Sequence, residues 1–113
     1  MLTVESLRAF GANTDEGLSR CMGNEAFYLR MVRLACADAN FDKLLRAAAD
    51  GDIDAGFEAA HALKGVTANL ALTPILTPVS ELTELLRART TADFRAQAER
   101  ILALRDELRA MDS

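Results

Sequence analysis

The amino-acid sequence predicts an all-α fold, an antiparallel four-helix bundle with additional short N-terminal helices. Three observations support this prediction. Half of the 113 residues are apolar but only 5% are aromatic, a composition that is compatible with a helical globular protein. No segment alternates apolar and polar residues as a half-buried strand does, whereas apolar residues recur every three or four positions. Short polar segments separate these stretches, so consecutive helices should pack in opposite directions. We expect one domain over residues 1–113.

Two short helices are predicted at the N-terminus. The first spans residues 4–10 and ends at Gly11. Asn13 precedes Glu16 with the spacing of a capping box, so it can open a second short helix that continues to Cys21. Both helices precede the predicted bundle.

The third and fourth predicted helices each carry an apolar side. Asn24 can cap the third helix, and the fourth helix stops at the Asp-Gly pair 50–51. The apolar side of the third helix contains Phe27, Met31, Leu34 and Ala35. That of the fourth contains Phe41, Leu44, Leu45 and Ala48.

The central helix is predicted to open at Asp52 and to run to about Leu72. With about 100° of rotation per residue, its core-facing sector should hold Gly56, Ala60, Leu63 and Thr67, with Leu70 at the edge. His61, the single histidine of the chain, lies more than a quarter-turn away from the centre of this sector. We therefore expect His61 on the flank of the helix and not in the core.

Two further helices complete the predicted bundle. Thr77 followed by Pro78 is predicted to start the first of them, because proline is favoured at the first helical position. Its buried stripe should comprise Val79, Leu82, Leu85 and Leu86. The last helix should span about 92–111 and carry Phe94, Ala98, Ile101, Leu104, Leu108 and Met111 at spacings of three and four.

The composition argues against several classes of protein. A net charge of −4 disfavours a nucleic-acid partner, which would require a basic surface. Cys21 and Cys36 lack a metal-binding spacing and are expected to be reduced, at least partly buried thiols. The N-terminus lacks the features of a signal peptide, and no segment is apolar enough to span a membrane. We therefore expect a cytoplasmic protein that does not contact a membrane.

The segment 58–72, EAAHALKGVTANLAL, contains the candidate functional residues. His61, Lys64 and Gly65 share one side of the helix because residues three and four apart are neighbours there. A glycine inside a helix costs about 1 kcal/mol relative to alanine, so its presence needs an explanation. One histidine with two remote cysteines is a poor metal-binding set, and no glycine-rich loop indicates an ATP site. A hydrolase triad on the outside of a bundle is an equally weak explanation.

The arrangement suits phosphoryl transfer to the imidazole. An imidazole nitrogen is largely unprotonated at neutral pH and acts as a nucleophile. The ammonium group of Lys64 could neutralise the charge of the added phosphoryl group. Gly65, with Ala68 beyond it, would allow the donor to approach closely, as in-line transfer requires.

The segment HALKGVTANLAL resembles the His-x-x-Lys-Gly signature of the histidine-containing phosphotransfer (HPt) domain family, and the resemblance covers nearly the whole chain. It implies that His61 accepts the phosphoryl group through Nε2. It also implies that Lys64 balances the phosphoryl charge and that Gly65 admits a receiver domain. Ala71 departs from the pattern, since many members carry glycine there.

This resemblance implies a phosphorelay carrier and not an enzyme. The protein would accept a phosphoryl group from the aspartate of one receiver domain and pass it to another. It would have no cofactor, ATP site or metal site of its own, and Mg²⁺ would be bound by the receiver. The expected partners are response-regulator receiver domains, with a hybrid histidine kinase as a further candidate. A monomer is expected, because one chain can complete a four-helix core.

Two alternatives remain at this stage. The chain could be the excised N-terminal phosphoacceptor domain of a chemotaxis-type histidine kinase, although a chain that starts at Met1 and ends at Ser113 favours a separate carrier. It could also be a helical interaction module without phosphotransfer.

A partner surface is expected around His61. Its candidate residues are Phe57, Ala68 and Leu72, together with Leu18 and Met22 of the second helix. For Phe57, burial in the core is an equally good expectation. Asp54 and Glu58 also lie near His61, either as a solvated acidic face at the helix start or as charges that speed onward transfer by disfavouring a retained phosphoryl group.

Overall fold

A computed structural model of the chain describes residues 1–112. Over these residues the protein is all-helical, with seven α-helices and no strand. The helices are α1 (Val4–Phe10), α2 (Thr14–Arg20), α3 (Glu25–Cys36), α4 (Ala39–Asp50), α5 (Ile53–Asn69), α6 (Thr73–Arg87) and α7 (Arg95–Ala110).

Helices α4 to α7 form the four-helix bundle. Helix α5 packs against α4 and α6, and α7 closes the bundle by packing on α4 and α6. Gly56 near the start of α5 lies beside Leu86 near the end of α6, so these two helices run in opposite directions. Arg105 in the second half of α7 lies 5.0 Å from the ring centre of Phe41 at the start of α4. The predicted antiparallel bundle is confirmed.

The short helices α2 and α3 are fixed to the C-terminal end of α5. The buried Tyr28 hydroxyl of α3 donates a hydrogen bond to the Leu70 carbonyl at 2.9 Å. Gly17 of α2 packs so closely on the Tyr28 ring that a Cβ atom would collide with it. Arg20 donates to the carbonyl oxygen of Ala68. These contacts place the N-terminal segment next to the helix that carries His61.

Most predicted helix boundaries have the expected capping groups. The side chains of Asn13, Asn24 and Asp52 each accept a hydrogen bond from a backbone N–H in the first turn of α2, α3 and α5. Gly11 and Gly51 end α1 and α4 with φ values of 111° and 67°. A residue with a left-handed backbone is a common helix terminator, and glycine adopts this backbone without steric cost.

Helix α5 ends at Asn69, and the prediction that it continues to about Leu72 is wrong. Ala71 has a left-handed φ of 55°. The Leu72 N–H donates to the Thr67 carbonyl at 2.9 Å, and the Ala71 N–H donates to the Ala68 carbonyl at 3.1 Å. This pair of bonds is a Schellman termination, which favours glycine at the left-handed position. The glycine that many members of the resembled family carry at this position would adopt this backbone without strain. Ala71 adopts the same backbone at a cost of about 1–2 kcal/mol.

Helix α6 starts at Thr73, and the predicted start at Thr77 and Pro78 is wrong. The sequence TPILTP contains the Thr-Pro signal twice, and the first copy opens the helix. Pro74 lies in the first turn, where a missing N–H costs nothing. Pro78 lies inside the helix, which continues because Ile75 and Val79 are both buried in the core.

Several apolar residues predicted to lie on buried sides are exposed. The buried residues of α3 are Tyr28, Val32, Ala35 and Cys36, whereas Phe27 and Leu34 are 41% and 55% exposed. Leu45 of α4 and Leu85 of α6 also lie at the surface. Helix α3 has apolar residues on two adjacent stripes, and periodicity alone does not distinguish which stripe faces the core.

Helix α7 starts at Arg95, three residues after the predicted start at about residue 92, and Phe94 lies directly before the helix and is buried. Cys21 and Cys36 are free and buried thiols, and burial raises the pKa of the Cys36 thiol. Across residues 1–112, no helix combines the length and apolar character needed to cross a membrane.

Candidate functional site

Helix α5 presents His61 on the outside of the bundle. Its core side is formed by Gly56, Ala59, Ala60, Leu63 and Thr67, all of which are buried. His61 and Gly65 are exposed, and Lys64 is half-buried. The structure therefore places these three residues on the flank that the helical wheel predicted.

The two glycines of α5 have opposite surroundings. A Cβ atom built on Gly56 would lie 2.6 Å from the Cζ atom of Phe94, so the absence of a side chain allows α7 to approach. A Cβ atom built on Gly65 would meet nothing within 4 Å. Packing therefore explains why residue 56 is glycine, but it does not explain why residue 65 is glycine. Gly65 keeps open a surface next to His61.

The ring of Phe57 stacks on the imidazole of His61. The ring centres are 5.6 Å apart and the planes differ by 19°, a geometry favoured by aromatic pairs. Phe57 is half-buried and packs against the core. On α6, the guanidinium group of Arg87 lies 5.1 Å from the centre of the Phe57 ring. Phe57 is thus both a core-edge residue and a neighbour that restricts the orientation of the His61 ring.

Glu84 of α6 contacts two cations beside the histidine. Its Oε1 lies 3.9 Å from Nζ of Lys64, and its Oε2 lies 3.4 Å from Nε of Arg87. The side chains of Lys64 and Glu84 are 40% and 59% exposed, so solvent screens this ion pair and its contribution to stability is small. In this structure the Lys64 ammonium group lies on the side of α5 that faces Glu84.

The two acidic residues near the start of α5 differ in their partners. The Oδ1 atom of Asp54 lies 2.7 Å from Nη1 of Arg89, a cation just beyond α6. Glu58 is exposed and forms no ion pair within residues 1–112. Glu58 therefore has no direct ion-pair partner among these residues, and it lies one turn before His61.

The expected partner surface needs one correction. Leu72 is buried and directly precedes α6, because α5 has already ended and the helical wheel does not extend to this residue. Met22 is 89% exposed, and Leu18 and Ala68 are half-buried. The hydrogen bond from Arg20 to the Ala68 carbonyl brings the end of α2 next to the end of α5. Met22 follows α2 with a positive φ of 57°, outside the helix in which it was predicted.

Sequence reasoning missed Glu84 and Arg87. Both belong to α6, and the position of one helix against another leaves no periodic signal in the sequence. The segment ELTELLR does show acidic and basic residues one turn apart, but this pattern does not identify which of them reach α5. In the described part of the chain, no group of three His, Cys, Asp or Glu side chains could hold a metal ion.

The protein is an all-helical bundle that exposes a histidine on one helix, with a lysine one turn further on and an open glycine beside them. These features define a class of phosphoryl-carrying modules. A family model described as the Hpt domain matches residues 30–113. The chain therefore belongs to the Hpt domain family, whose members are phosphocarrier modules that interact with receiver domains in phosphorelays. The comparisons with curated proteins and with solved structures gave no match. Helices α1 and α2 lie outside the matched residues.

Proposed function

We propose that His61 accepts a phosphoryl group from the aspartyl phosphate of a receiver domain and donates it to the aspartate of another. The observation that carries this proposal is the position of His61. It is exposed on a helix whose opposite side is buried, one turn before a glycine at which an added Cβ atom would meet nothing within 4 Å. In-line transfer requires this kind of access for the donor.

The transfer forms one bond and breaks another. The unprotonated Nε2 of His61 attacks phosphorus, and a P–N bond forms as the bond between phosphorus and the aspartate oxygen breaks. The electron pair of the broken bond leaves with the aspartate carboxylate. In the onward step, the carboxylate of the second receiver attacks and His61 leaves. Receivers supply the Mg²⁺ that neutralises charge on the transferred group, so this chain needs to supply only the nucleophile and its surroundings.

Three residues of this chain assist the proposed transfer. Phe57 stacks on the imidazole and limits its rotation. Lys64 lies one turn from His61 on the same helix, a spacing of about 5–6 Å between Cβ atoms, so its flexible side chain can bring an ammonium group to the phosphoryl oxygens. Gly65 leaves room for the receiver. None of these residues provides an ATP site or a metal site, and the protein is a carrier in this proposal.

We further propose that the receiver docks over the part of α5 that surrounds His61. In this proposal Phe57 and Ala68 supply apolar area on α5, and Leu18 and Met22 extend it from the segment that Arg20 links to Ala68. Met22 is 89% exposed. We also propose that residues 1–113 form one module that acts as a monomer, and the single core from Leu2 to Leu108 supports the one-module part of this proposal.

The deciding experiment is transfer from a purified, radiolabelled phospho-receiver to the wild type and to His61→Gln. We expect label on the wild type alone, stable in alkali and labile in acid, as for phosphohistidine. Label on His61→Gln would place the acceptor elsewhere and contradict the proposal. Labelling of the wild type by a kinase domain with ATP, but not by any phospho-receiver, would instead identify a kinase phosphoacceptor domain. Receiver binding without transfer would identify an interaction module.

A further inference from the structure

Side chains of α5 and α6 form a continuous set of contacts around His61. The His61 ring stacks on Phe57, and Phe57 lies under the guanidinium group of Arg87. Arg87 pairs with Glu84 at 3.4 Å, and Glu84 pairs with Lys64 at 3.9 Å. Lys64 lies on the same side of α5 as His61, one turn further on. Glu84 is the only carboxylate in this set.

We propose that Glu84 is a positioning residue that competes with the phosphoryl group for Lys64. When His61 is unmodified, Glu84 holds the Lys64 ammonium group against α6. When His61 is phosphorylated, Lys64 leaves Glu84 and turns to the phosphoryl oxygens. This inference rests on the proposed function, because it requires a phosphoryl group on His61.

The direction of the exchange follows from charge. A phosphoryl group carries more negative charge than a carboxylate and offers three acceptor oxygens, so it is the stronger partner for one ammonium group. The ion pair between Lys64 and Glu84 exists only in the unmodified state and therefore stabilises that state alone. Its effect is to lower the fraction of His61 that is phosphorylated at equilibrium with a receiver.

Arg87 lowers the free-energy cost of moving Lys64 away from Glu84. Its guanidinium group is held over Phe57 at 5.1 Å and also contacts Glu84. After Lys64 leaves, the carboxylate of Glu84 still has a cationic partner. Because the lost pair is largely exposed, the exchange changes the phosphorylation equilibrium by a small factor. A carrier that must discharge as readily as it charges benefits from such a balance.

The test measures the equilibrium ratio of phospho-His61 to phospho-receiver at low ionic strength. Glu84→Gln keeps the shape of the side chain and removes its charge. We expect this variant to raise the ratio by about 1.5-fold to 5-fold, the range that an exposed ion pair supports. Glu81→Gln is the matched control: Glu81 lies one turn earlier on α6, is exposed and forms no ion pair within residues 1–112. This control should leave the ratio unchanged.

The same substitution in the Lys64→Ala background separates this role from others. If Glu84 acts through Lys64, then Glu84→Gln has no effect once Lys64 is absent. An effect that persists there would show that Glu84 acts through its own repulsion or through Arg87, and would overturn the inference. A wild type that is labelled on His61 while Glu84→Gln has an unchanged ratio would also overturn it. Absence of label on wild-type His61 would instead refute the proposed function, and this inference with it.

Discussion

Alanine at the two glycines of α5 should change stability in opposite directions, although both substitutions add one methyl group to the same helix. At Gly65 the added Cβ meets nothing within 4 Å, so no steric cost arises. The remaining effect is helix propensity, which favours alanine over glycine by about 1 kcal/mol. Gly65→Ala should therefore raise the free energy of unfolding by about 0.5–1 kcal/mol, equivalent to a rise in Tm of about 4 °C for a chain of this size.

At Gly56 the same gain in propensity is outweighed by a collision. The added Cβ would lie 2.6 Å and 2.8 Å from two ring atoms of Phe94, and Phe94 is completely buried. Overpacking of this kind costs about 1–3 kcal/mol. Subtracting the gain in propensity, Gly56→Ala should lower the free energy of unfolding by roughly 1 kcal/mol, with an upper limit of about 2 kcal/mol.

The assay combines urea unfolding, followed by circular dichroism, with the rate of phosphotransfer from a phospho-receiver. Gly65→Ala should be more stable than the wild type and slower in transfer, and Gly65→Leu should be slower still, because the larger side chain fills more of the open surface. The result that would refute the reasoning is a transfer rate that Gly65→Leu leaves unchanged. Destabilisation by Gly65→Ala would contradict the argument about its surroundings.

Three other substitutions give distinct readouts. Glu58→Gln should lengthen the lifetime of the phosphohistidine by about twofold, as expected from removing a like charge one helical turn away. Tyr28→Phe should lower the free energy of unfolding in urea by about 1–3 kcal/mol, because a buried carbonyl at the end of α5 loses its hydrogen bond. Asp112→Asn should destabilise the protein at any pH above the ordinary aspartate pKa, and the effect should disappear in strong acid. Hydrogen bonds from the Leu2 N–H and the Arg33 side chain lower the pKa of Asp112, so its contribution is present above the ordinary aspartate pKa and is lost as the pH falls through the lowered value.

Each of these predictions has an outcome that contradicts it. For Glu58, Asp54→Asn is the matched control, since Asp54 is already paired with Arg89 and should change the lifetime less; equal lifetimes for wild type and Glu58→Gln would exclude the electrostatic role. Unchanged stability in Tyr28→Phe would show that the bond to Leu70 contributes nothing. A stability difference for Asp112→Asn that persists in strong acid would rule out its ionised carboxylate as the cause.

The sequence predicted the orientation of α5 correctly because the signal is local. Buried residues recur with the helical period, so a wheel drawn from Ile53 separates His61 and Gly65 from the core without knowledge of any other helix. The polar side chains at Asn24 and Asp52 likewise mark helix starts by contacts within a few residues. Fold class and helix order follow from such short-range patterns.

The errors arose where a local signal was repeated or where two helices meet. Two Thr-Pro pairs in the segment before α6 are equivalent as start signals, and the burial of Ile75 decides between them. Extending the helical wheel past Asn69, where α5 ends, assigned Leu72 to an exposed face, although this residue is buried. The position of Glu84 against Lys64 depends on the packing of α6 on α5, which the sequence does not encode in any spacing.

The stacking of Phe57 on His61 also has a practical consequence for spectroscopy. The chain contains one histidine, so its imidazole protons give signals without overlap from other histidines in a one-dimensional proton NMR spectrum. The aromatic ring 5.6 Å away adds a ring-current shift to those signals, and this shift changes whenever the two rings move apart. Proton NMR of the unlabelled protein can thus follow, in real time, the gain and loss of a phosphoryl group on His61. It can also follow any reorientation of the imidazole by a docked partner.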